Sequence, residues 1–423
     1  MVVLALVLLA LAVAGAVVRP FGLASWVAPV AAAAVELGIG MVALGKAATA
    51  LSPLAPALGF LLAAVPLAVL LDGMGFFESL AMLMSRGRHM VGWLWVLAAV
   101  VTTVLNLDAS VVLLTPLYVR VARRSGLAPL TLAFQPVLLA MLASSALPVS
   151  NLTNLIAVGR TGASPLQFLV HLGPPSLVAS ALGYWLYRRA LKPGAPTLAQ
   201  AMPPERRPLV AGGGVVSAVL VGFVLGPTYG VEPWMVALGA DVVLLGMAGS
   251  AGPRSSPSAQ PGLALPGLAL PGLAQRAWRG LATVPLGTAV LAAALGVLAY
   301  ALSSALPVAQ YLRGSGPGAL ARTIGLAALV ANGANNLPTL LVATPALPAH
   351  ASPQLWAVLL GVNMGPVVLA TGALASLLWL DTLRRLDVQV SALDFSRTGA
   401  KVGLPALVVA TGVLIGLASL VGA

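Results

Sequence analysis

Amide and hydroxyl side chains gather at a few points in a chain that is otherwise strongly apolar. The segment Ser150–Asn154 places four polar side chains in five residues, between two apolar runs. Unpaired amides in hydrocarbon cost roughly several kcal/mol per group. We therefore expect this segment to form a hairpin tip that faces an aqueous cavity. A loop at the membrane surface is the alternative.

Two further polar clusters share one pattern, N-x3-[S/T]-x4-T-P. The first runs from Asn106 to Pro116, and the second, from Asn335 to Pro345, begins 229 residues later. Each cluster opens a short apolar run. Broken helices at matching places in two repeats bring backbone groups and polar side chains together near the middle of the membrane.

The second half also contains a counterpart of the Ser150–Asn154 tip, which is richer in glycine and poorer in amides. It comprises Gly361–Pro366 and the following Thr371. These four polar segments supply the predicted substrate-binding residues, which are Asn106, Ser150, Asn151, Thr153, Asn154, Asn335, Asn336, Thr339, Asn363 and Thr371.

Asp108 lies inside the first N-x3-[S/T] motif. An acid within a membrane segment is a functional candidate, here for proton coupling. The alternative role is to cap a helix N-terminus, where the helix dipole favours a carboxylate, and both roles can hold together. The three histidines are scattered, and the chain has no HExxH, GxSxG or nucleotide-binding loop. The sequence thus predicts no enzyme, no cofactor and no metal site, and uphill transport would use an ion gradient.

Composition defines the elements that must position these residues. Of 423 residues, 60% are hydrophobic and only 8% are charged, which excludes a soluble enzyme, a disordered chain and a fibrous protein. An all-α polytopic membrane protein remains, with on the order of a dozen spans. The apolar runs 110–119, 319–332 and 337–348 are too short to span, whereas 354–380 reads as one long run.

The net charge of +12 comes from basic clusters between apolar runs. This distribution is typical of the positive-inside rule and favours anionic lipid, not nucleic acid, as the partner. The absence of cysteine excludes disulfides and thiolate sites. We predict a first transmembrane repeat over 1–187, a cytoplasmic proline-rich linker over 188–208 and a second repeat over 209–423. The second repeat includes a Pro/Gly-rich loop at 251–282.

These motifs resemble the ArsB-type arsenite/antimonite efflux permeases of the ion transporter superfamily, over nearly the whole chain. The resemblance lies in five stretches: Leu71–Glu78, Asn106–Pro116, Ser150–Asn154, Asn335–Pro338 and Gly361–Leu380. The last is similar to the family's G-x-D-L-G-P…L-L-W-L block. Two family acids are absent, since Asn363 replaces one and the stretch Ala140–Ser144 lacks the other.

The resemblance implies two inverted repeats with re-entrant hairpins and broken helices, in a multi-pass protein of the inner (plasma) membrane. It implies elevator-like export of As(III) or Sb(III) hydroxide in exchange for protons, with Asp108 as the remaining motif acid. A homodimer and an ArsA-type ATPase are partners that it allows. As(III) prefers thiolates, so a chain without cysteine would bind As(OH)3 weakly, through hydrogen bonds from Asn, Ser and Thr.

Three other functions stay open on sequence grounds. A Na⁺/H⁺ antiporter or sodium-coupled carboxylate carrier of the same superfamily could use the same amide-rich loops. A carboxylate would also need a cationic group near the tips, and Arg160 and Arg322 are the nearest basic residues in sequence. An intramembrane enzyme would need an acid/base pair or metal motif that the sequence does not show, and saturable gradient-driven flux would exclude a passive channel.

Overall fold

Helices account for all regular structure in the described part of the chain. The computed structural model describes residues 1–85, 87, 89–195, 205–249 and 284–420. Four helical segments there are long and apolar enough to cross a membrane: Leu44–Gly73, Arg206–Tyr229, Leu286–Ala305 and Ala392–Leu420. Shorter apolar helices accompany them. An all-α membrane protein is thereby confirmed.

The first half contains ten helices among its described residues. They are α1 (Val2–Val18), α2 (Val27–Gly38), α3 (Leu44–Leu51), α4 (Ala55–Gly73), α5 (Phe76–Met84), α6 (Met90–Val104), α7 (Leu107–Arg124), α8 (Pro129–Leu142), α9 (Leu152–Thr161) and α10 (Pro165–Leu191). The described residues after 204 form nine more. They are α11 (Arg206–Leu225), α12 (Pro233–Gly249), α13 (Leu286–Ala305), α14 (Val308–Tyr311), α15 (Pro317–Ala334), α16 (Asn336–Ala343), α17 (Pro353–Met364), α18 (Leu374–Arg385) and α19 (Ala392–Leu420).

The domain boundaries predicted from sequence stay predictions. Helix α10 continues to Leu191 and α11 begins at Arg206, so both enter the predicted 188–208 linker. Residues 196–204 between them, and the whole of the 251–282 loop, lie outside the described residues.

Two apolar runs of the sequence have boundaries that differ from those of the helices in the structure. Run 354–380 forms two helices, α17 and α18, because Gly365-Pro366 ends the first and a turn at 370–372 precedes the second. Run 110–119 is part of the 18-residue helix α7, which extends into polar sequence at both ends. Apolar composition does not mark these boundaries, because a glycine turn is as apolar as a helix and α7 continues into arginines at its C-terminal end.

Local sequence signals fix many helix starts. Proline occupies the first helical position of α8, α10, α15 and α17, where its missing N–H leaves no partner unsatisfied. Ser164 and Gln167 form a reciprocal capping box at the start of α10. Gly162 ends α9 in the left-handed conformation, with φ of 64°.

The helices pack in two neighbouring groups around the polar segments. In one, α1, α2 and α13 pack on each other, and α4 packs on α12. In the other, α7 packs on α8 and α18, α15 packs on α17, and α10 packs on α19. The buried indole of Trp379 joins α18 to α8 by donating to the Ala133 carbonyl at 2.7 Å.

The second group contains the same series of elements twice. A helix is interrupted at an asparagine, as α6–α7 is at Asn106 and α15–α16 is at Asn335. A helix, a turn and a short helix follow, as α8–α9 and α17–α18, and then a long helix, α10 or α19. The offset motifs found in the sequence therefore fall on matching elements of the two halves.

Candidate substrate site

A cavity of about 60 Å³ lies between the two helix groups. One wall comes from the end of α1, the loop after it and one side of α13, including Arg19, Ser25 and Thr288. The opposite wall comes from the first residues of α7, α9, α16 and α18. Four helix N-termini thus meet one small cavity, and helix N-termini present free N–H groups and positive partial charge.

Five of the predicted site residues line this cavity. They are Asp108, Asn151, Thr153, Asn335 and Asn336. The structure therefore brings together residues from both motif copies and from the first hairpin tip, although they lie far apart in sequence.

Asparagines determine where three of the four helices begin. The side-chain oxygen of Asn106 accepts from the Asp108 N–H at 2.8 Å, and that of Asn335 accepts from Leu337 N–H at 3.2 Å. Asn151 caps α9 in the same way through Thr153 N–H, at 3.2 Å. Each cap satisfies one free donor of the first turn.

The other predicted residues lie behind the cavity wall. Thr339 donates to the Asn335 carbonyl at 2.6 Å, and Ser150 donates to the carbonyls of Ser144 and Leu147. The remaining members of this group are Asn106, Asn154, Asn363 and Thr371, none of which is among the lining residues.

Asp108 and Arg19 are the charged side chains among the described lining residues. Asp108 lies in the first turn of α7, and its Oδ1 is buried without a hydrogen-bond partner among the described residues. Arg19 follows α1 in a left-handed conformation, with φ of 49°, and its guanidinium lies 3.6 Å from the Asp381 carboxylate on α18. The formal charges of the lining residues therefore cancel.

Sequence reasoning missed Arg19 and Asn332. No motif marks Arg19, which simply ends the first apolar run. Asn332 lies in the last turn of α15 and contacts the loop after α17: its Nδ2 donates to the Gly365 carbonyl at 2.5 Å. Its Oδ1 accepts from Val368 and Leu369 N–H, at 3.2 and 3.0 Å. The sequence signal that could have identified Asn332 is its position as an amide in an apolar run, three residues before the Asn335 motif.

The cationic residues considered for a carboxylate substrate lie elsewhere. Arg160 contacts the carbonyls of Pro345 and Leu347, and Arg322 donates to the Arg313 carbonyl. Neither lines the cavity. No group of three or more His, Cys, Asp or Glu residues suited to a metal ion occurs in the described part of the chain.

The helical fold and this cavity, shared by interrupted helices, are typical of a membrane transporter. Residues 1–371 match the CitMHS citrate transporter family, and the chain belongs to that family. The chain is 27% identical to an arsenical pump membrane protein of Yersinia enterocolitica, over 94% of this chain and 95% of that protein. It is 26% identical to an arsenical pump membrane protein of Escherichia coli K12, over 84% of each.

A solved structure shares the fold. The YdaH transporter of Alcanivorax borkumensis superposes with a TM-score of 0.57, at 14% identity, over 89% of this chain and 88% of that one. The predicted resemblance to arsenical permeases, the helical transporter fold and the multi-pass membrane location are thus confirmed. The inverted orientation of the two repeats stays a prediction.

Proposed function

We propose that this protein exports As(III) or Sb(III) across the inner membrane as the neutral hydroxide, in exchange for protons. The cavity carries the proposal: it is small and largely aliphatic, its polar groups are mainly amides and hydroxyls, and its cationic residue, Arg19, is already paired with Asp381. Hydrogen bonds suit a neutral triol, and weak binding suits a carrier that must release its cargo. The similarity to arsenical pump membrane proteins supports this substrate.

A carboxylate such as citrate is the second candidate, because the family is named for it and Arg19 lines the cavity. Two observations oppose it. Arg19 already pairs with Asp381, and Asp108 adds a negative charge to the same wall as the tips. A substrate with several negative charges would leave Asp108 facing like charge, which is unfavourable in a poorly solvated cavity.

Asp108 is the proposed proton carrier. Its Oδ1 is buried, lacks a protein partner among the described residues and belongs to a side chain that lines the cavity. Binding of the substrate hydroxyls and protonation of the carboxyl would then compete for one oxygen. Competition of this kind produces exchange, because the carrier releases a proton when it takes up its cargo.

Alternating access would come from movement of the hairpin-bearing group against the α1–α2–α13 group. The Arg19–Asp381 ion pair joins the two groups across the cavity, and both side chains are about one-third exposed. A sliding movement would have to break it. Partly exposed ion pairs contribute only about 0–1 kcal/mol, so this ion pair would oppose the movement only weakly.

Transport into everted membrane vesicles tests the substrate and the driving ion together. We expect saturable arsenite uptake that an imposed proton gradient drives and Na⁺ does not alter. Uptake of citrate but not of arsenite would show that the protein is a carboxylate transporter. Na⁺-linked proton movement without arsenite flux would identify a cation antiporter.

The variant Asp108→Asn tests the proton carrier, because it keeps the size of the side chain and removes its charge change. We expect proton-driven uptake to be lost while arsenite equilibrates down its own gradient. Glu205→Gln, near the start of α11 and away from the cavity, is the control. Unchanged proton-driven uptake in Asp108→Asn would contradict the role.

The absence of native cysteine permits a clean test of movement. Joining Arg19→Cys to Asp381→Cys with a bifunctional thiol reagent that contains a reducible spacer should stop transport, and a reductant should restore it. Each single variant, treated identically, is the control. Full transport by the cross-linked protein would contradict sliding of the two groups.

A further inference from the structure

Asn363, near the end of α17, lies behind the cavity and is 1% exposed. Its Oδ1 accepts from Asn151 Nδ2 at 3.0 Å and from Thr153 Oγ1 at 2.6 Å. Its Nδ2 donates to Asn154 Oδ1 at 2.7 Å. One amide of the second half thus binds three side chains of the first hairpin, more than 200 residues earlier in the chain.

Backbone groups determine the orientation of Asn151. Its Oδ1 accepts from the Thr153 N–H, which can only donate. The Nδ2 of Asn151 must therefore face Asn363. On this side, position 363 meets the fixed donor of Asn151 and the Thr153 hydroxyl, which also donates to it, and so has to present an acceptor.

Asn154 is fixed in the opposite sense. Its Nδ2 donates to the carbonyls of Ser144 and Leu147, at 2.9 and 2.8 Å, and carbonyls can only accept. The Oδ1 of Asn154 must therefore face Asn363. On this side, position 363 meets an acceptor and has to present a donor.

We propose that Asn363 is a positioning residue that joins the two halves of the hairpin-bearing helix group, here called the transport body, and that its neighbours require at this place an uncharged group that both accepts and donates, which this chain supplies as an amide. The inference deepens the proposed function, because Asn151 and Thr153 line the cavity and Asn363 does not. Asn363 acts on the substrate through these two residues. It also makes the first hairpin and α17 move together.

A carboxylate at this position would satisfy only one of the two sides. Asn363→Asp keeps an acceptor for Asn151 and Thr153, but when ionised it places a second oxygen against Asn154 Oδ1. When protonated, its hydroxyl can donate to Asn154 and restores the network. The variant should therefore work in acid and fail at neutral pH, although the wild-type residue does not titrate.

Other ionisable side chains surround α17 without joining this cluster. Among the described residues, six helices pack against α17. Four of them, α9, α10, α15 and α19, carry ionisable side chains, whereas α8 and α16 carry none. They are Arg160, His171, Arg322, Asp394, Arg397, Lys401 and those of the 184–189 stretch of α10. His171 stacks on Trp356 of α17, with ring centroids 4.8 Å apart. None hydrogen-bonds to Asn363 or its three partners, and Asp108 shares only the cavity with them.

The test compares the purified protein with Asn363→Asp and Asn363→Ala in detergent between pH 5 and 8. Thermal unfolding is read as the difference between variant and wild type at each pH, so that titration of Asp108 cancels. We expect the Asp variant to melt well below wild type at pH 8 and to approach it at pH 5. The Ala variant should be equally destabilised throughout, because it cannot titrate.

Arsenite exchange in proteoliposomes, clamped at equal pH on both sides, gives the second readout. We expect exchange by Asn363→Asp to be roughly 5- to 150-fold below wild type at pH 8, the range for an unsatisfied buried group, and to recover in acid. A gap from wild type that does not change with pH, in melting and exchange alike, would overturn the proposal. So would an Asp variant that behaves as wild type at pH 8.

The two readouts separate this inference from the proposed function. Arsenite exchange by the wild-type protein tests the function, whereas melting needs no substrate. If Asn363→Asp does not fold at neutral pH, purification at pH 5 decides: recovery of a folded protein supports the network, and misfolding at both pH values refutes it.

Discussion

The two hairpin turns of the transport body have the same backbone form and different means of support. The first precedes α9 and the second precedes α18, and each ends in a short 3₁₀ turn. The residue that follows is extended in both, with φ and ψ of −149° and 140° at Asn151 and −146° and 147° at Ala373. Backbone geometry is therefore shared where sequence is not.

Side chains of the first turn hold it in place, through Ser150, Asn151 and Asn154. The second turn ends at Ala373, which has no capping side chain, and is held by Asn332 of the neighbouring helix and by close packing at glycine. One conformation can thus be built from local polar groups or from a neighbouring helix. In the proposed carrier, the first turn presents the polar ligands and the second gives a compact wall.

Asn332→Ala should have the largest effect on stability. It leaves the N–H groups of Val368 and Leu369 and the carbonyl of Gly365 without their partner. We expect the free energy of unfolding to fall by roughly 3 kcal/mol, since each unsatisfied group costs about 1–3 kcal/mol and some relax. Unfolding in mixed micelles measures this, and a loss below about 1 kcal/mol would show that the second turn does not depend on α15.

Gly365→Ala should come next. A Cβ here would overlap Ala328 Cα on α15 and the Gly361 carbonyl, so two helices would have to separate. Overpacking of this kind costs about 1–3 kcal/mol. Gly213→Ala on α11, where a Cβ meets nothing within 4 Å, is the matched control. Equal melting temperatures for the two variants would contradict close packing as the support of the second turn.

Asn151→Ala should destabilise less and impair transport more. It removes a helix cap, worth about 1 kcal/mol, together with one bond to Asn363. Because Asn151 lines the cavity, we expect the KM for arsenite to rise as well. Proteoliposome kinetics beside an unfolding curve separate the two effects, and an unchanged KM would remove Asn151 from the proposed binding residues.

Thr371→Val should have the smallest effect. The Thr371 hydroxyl donates one long hydrogen bond, 3.3 Å, to the Asn332 carbonyl. The Thr371 carbonyl accepts from Asn335 Nδ2, and the substitution does not alter that bond. We expect a loss below about 1 kcal/mol and normal arsenite transport. If a folded Thr371→Val variant did not transport arsenite, Thr371 would be a substrate ligand, as the sequence predicted.

Much of the fold could be predicted from sequence because hydrocarbon permits few structures. Helix α1 coincides with the first apolar run, and the asparagine motifs fall where helices break. The break in run 354–380 was expected at Gly361–Pro366, but the start of α18 at Leu374 was not, because a glycine turn packed against another helix has the same apolar composition as a helix. For the site, sequence reasoning identified the polar residues without distinguishing those that line the cavity from those behind it.

The sequence by itself determined that this chain spans a membrane by helices and that amides and a few acids interrupt its apolar segments. These follow from composition, since burying polar groups in lipid is costly wherever they lie in the chain. Only the tertiary structure decided that Asn151 lines the cavity while Asn363 lies behind it, and that Arg19 lines the opposite side. Those roles depend on which side-chain donors and acceptors meet across more than 200 residues of chain.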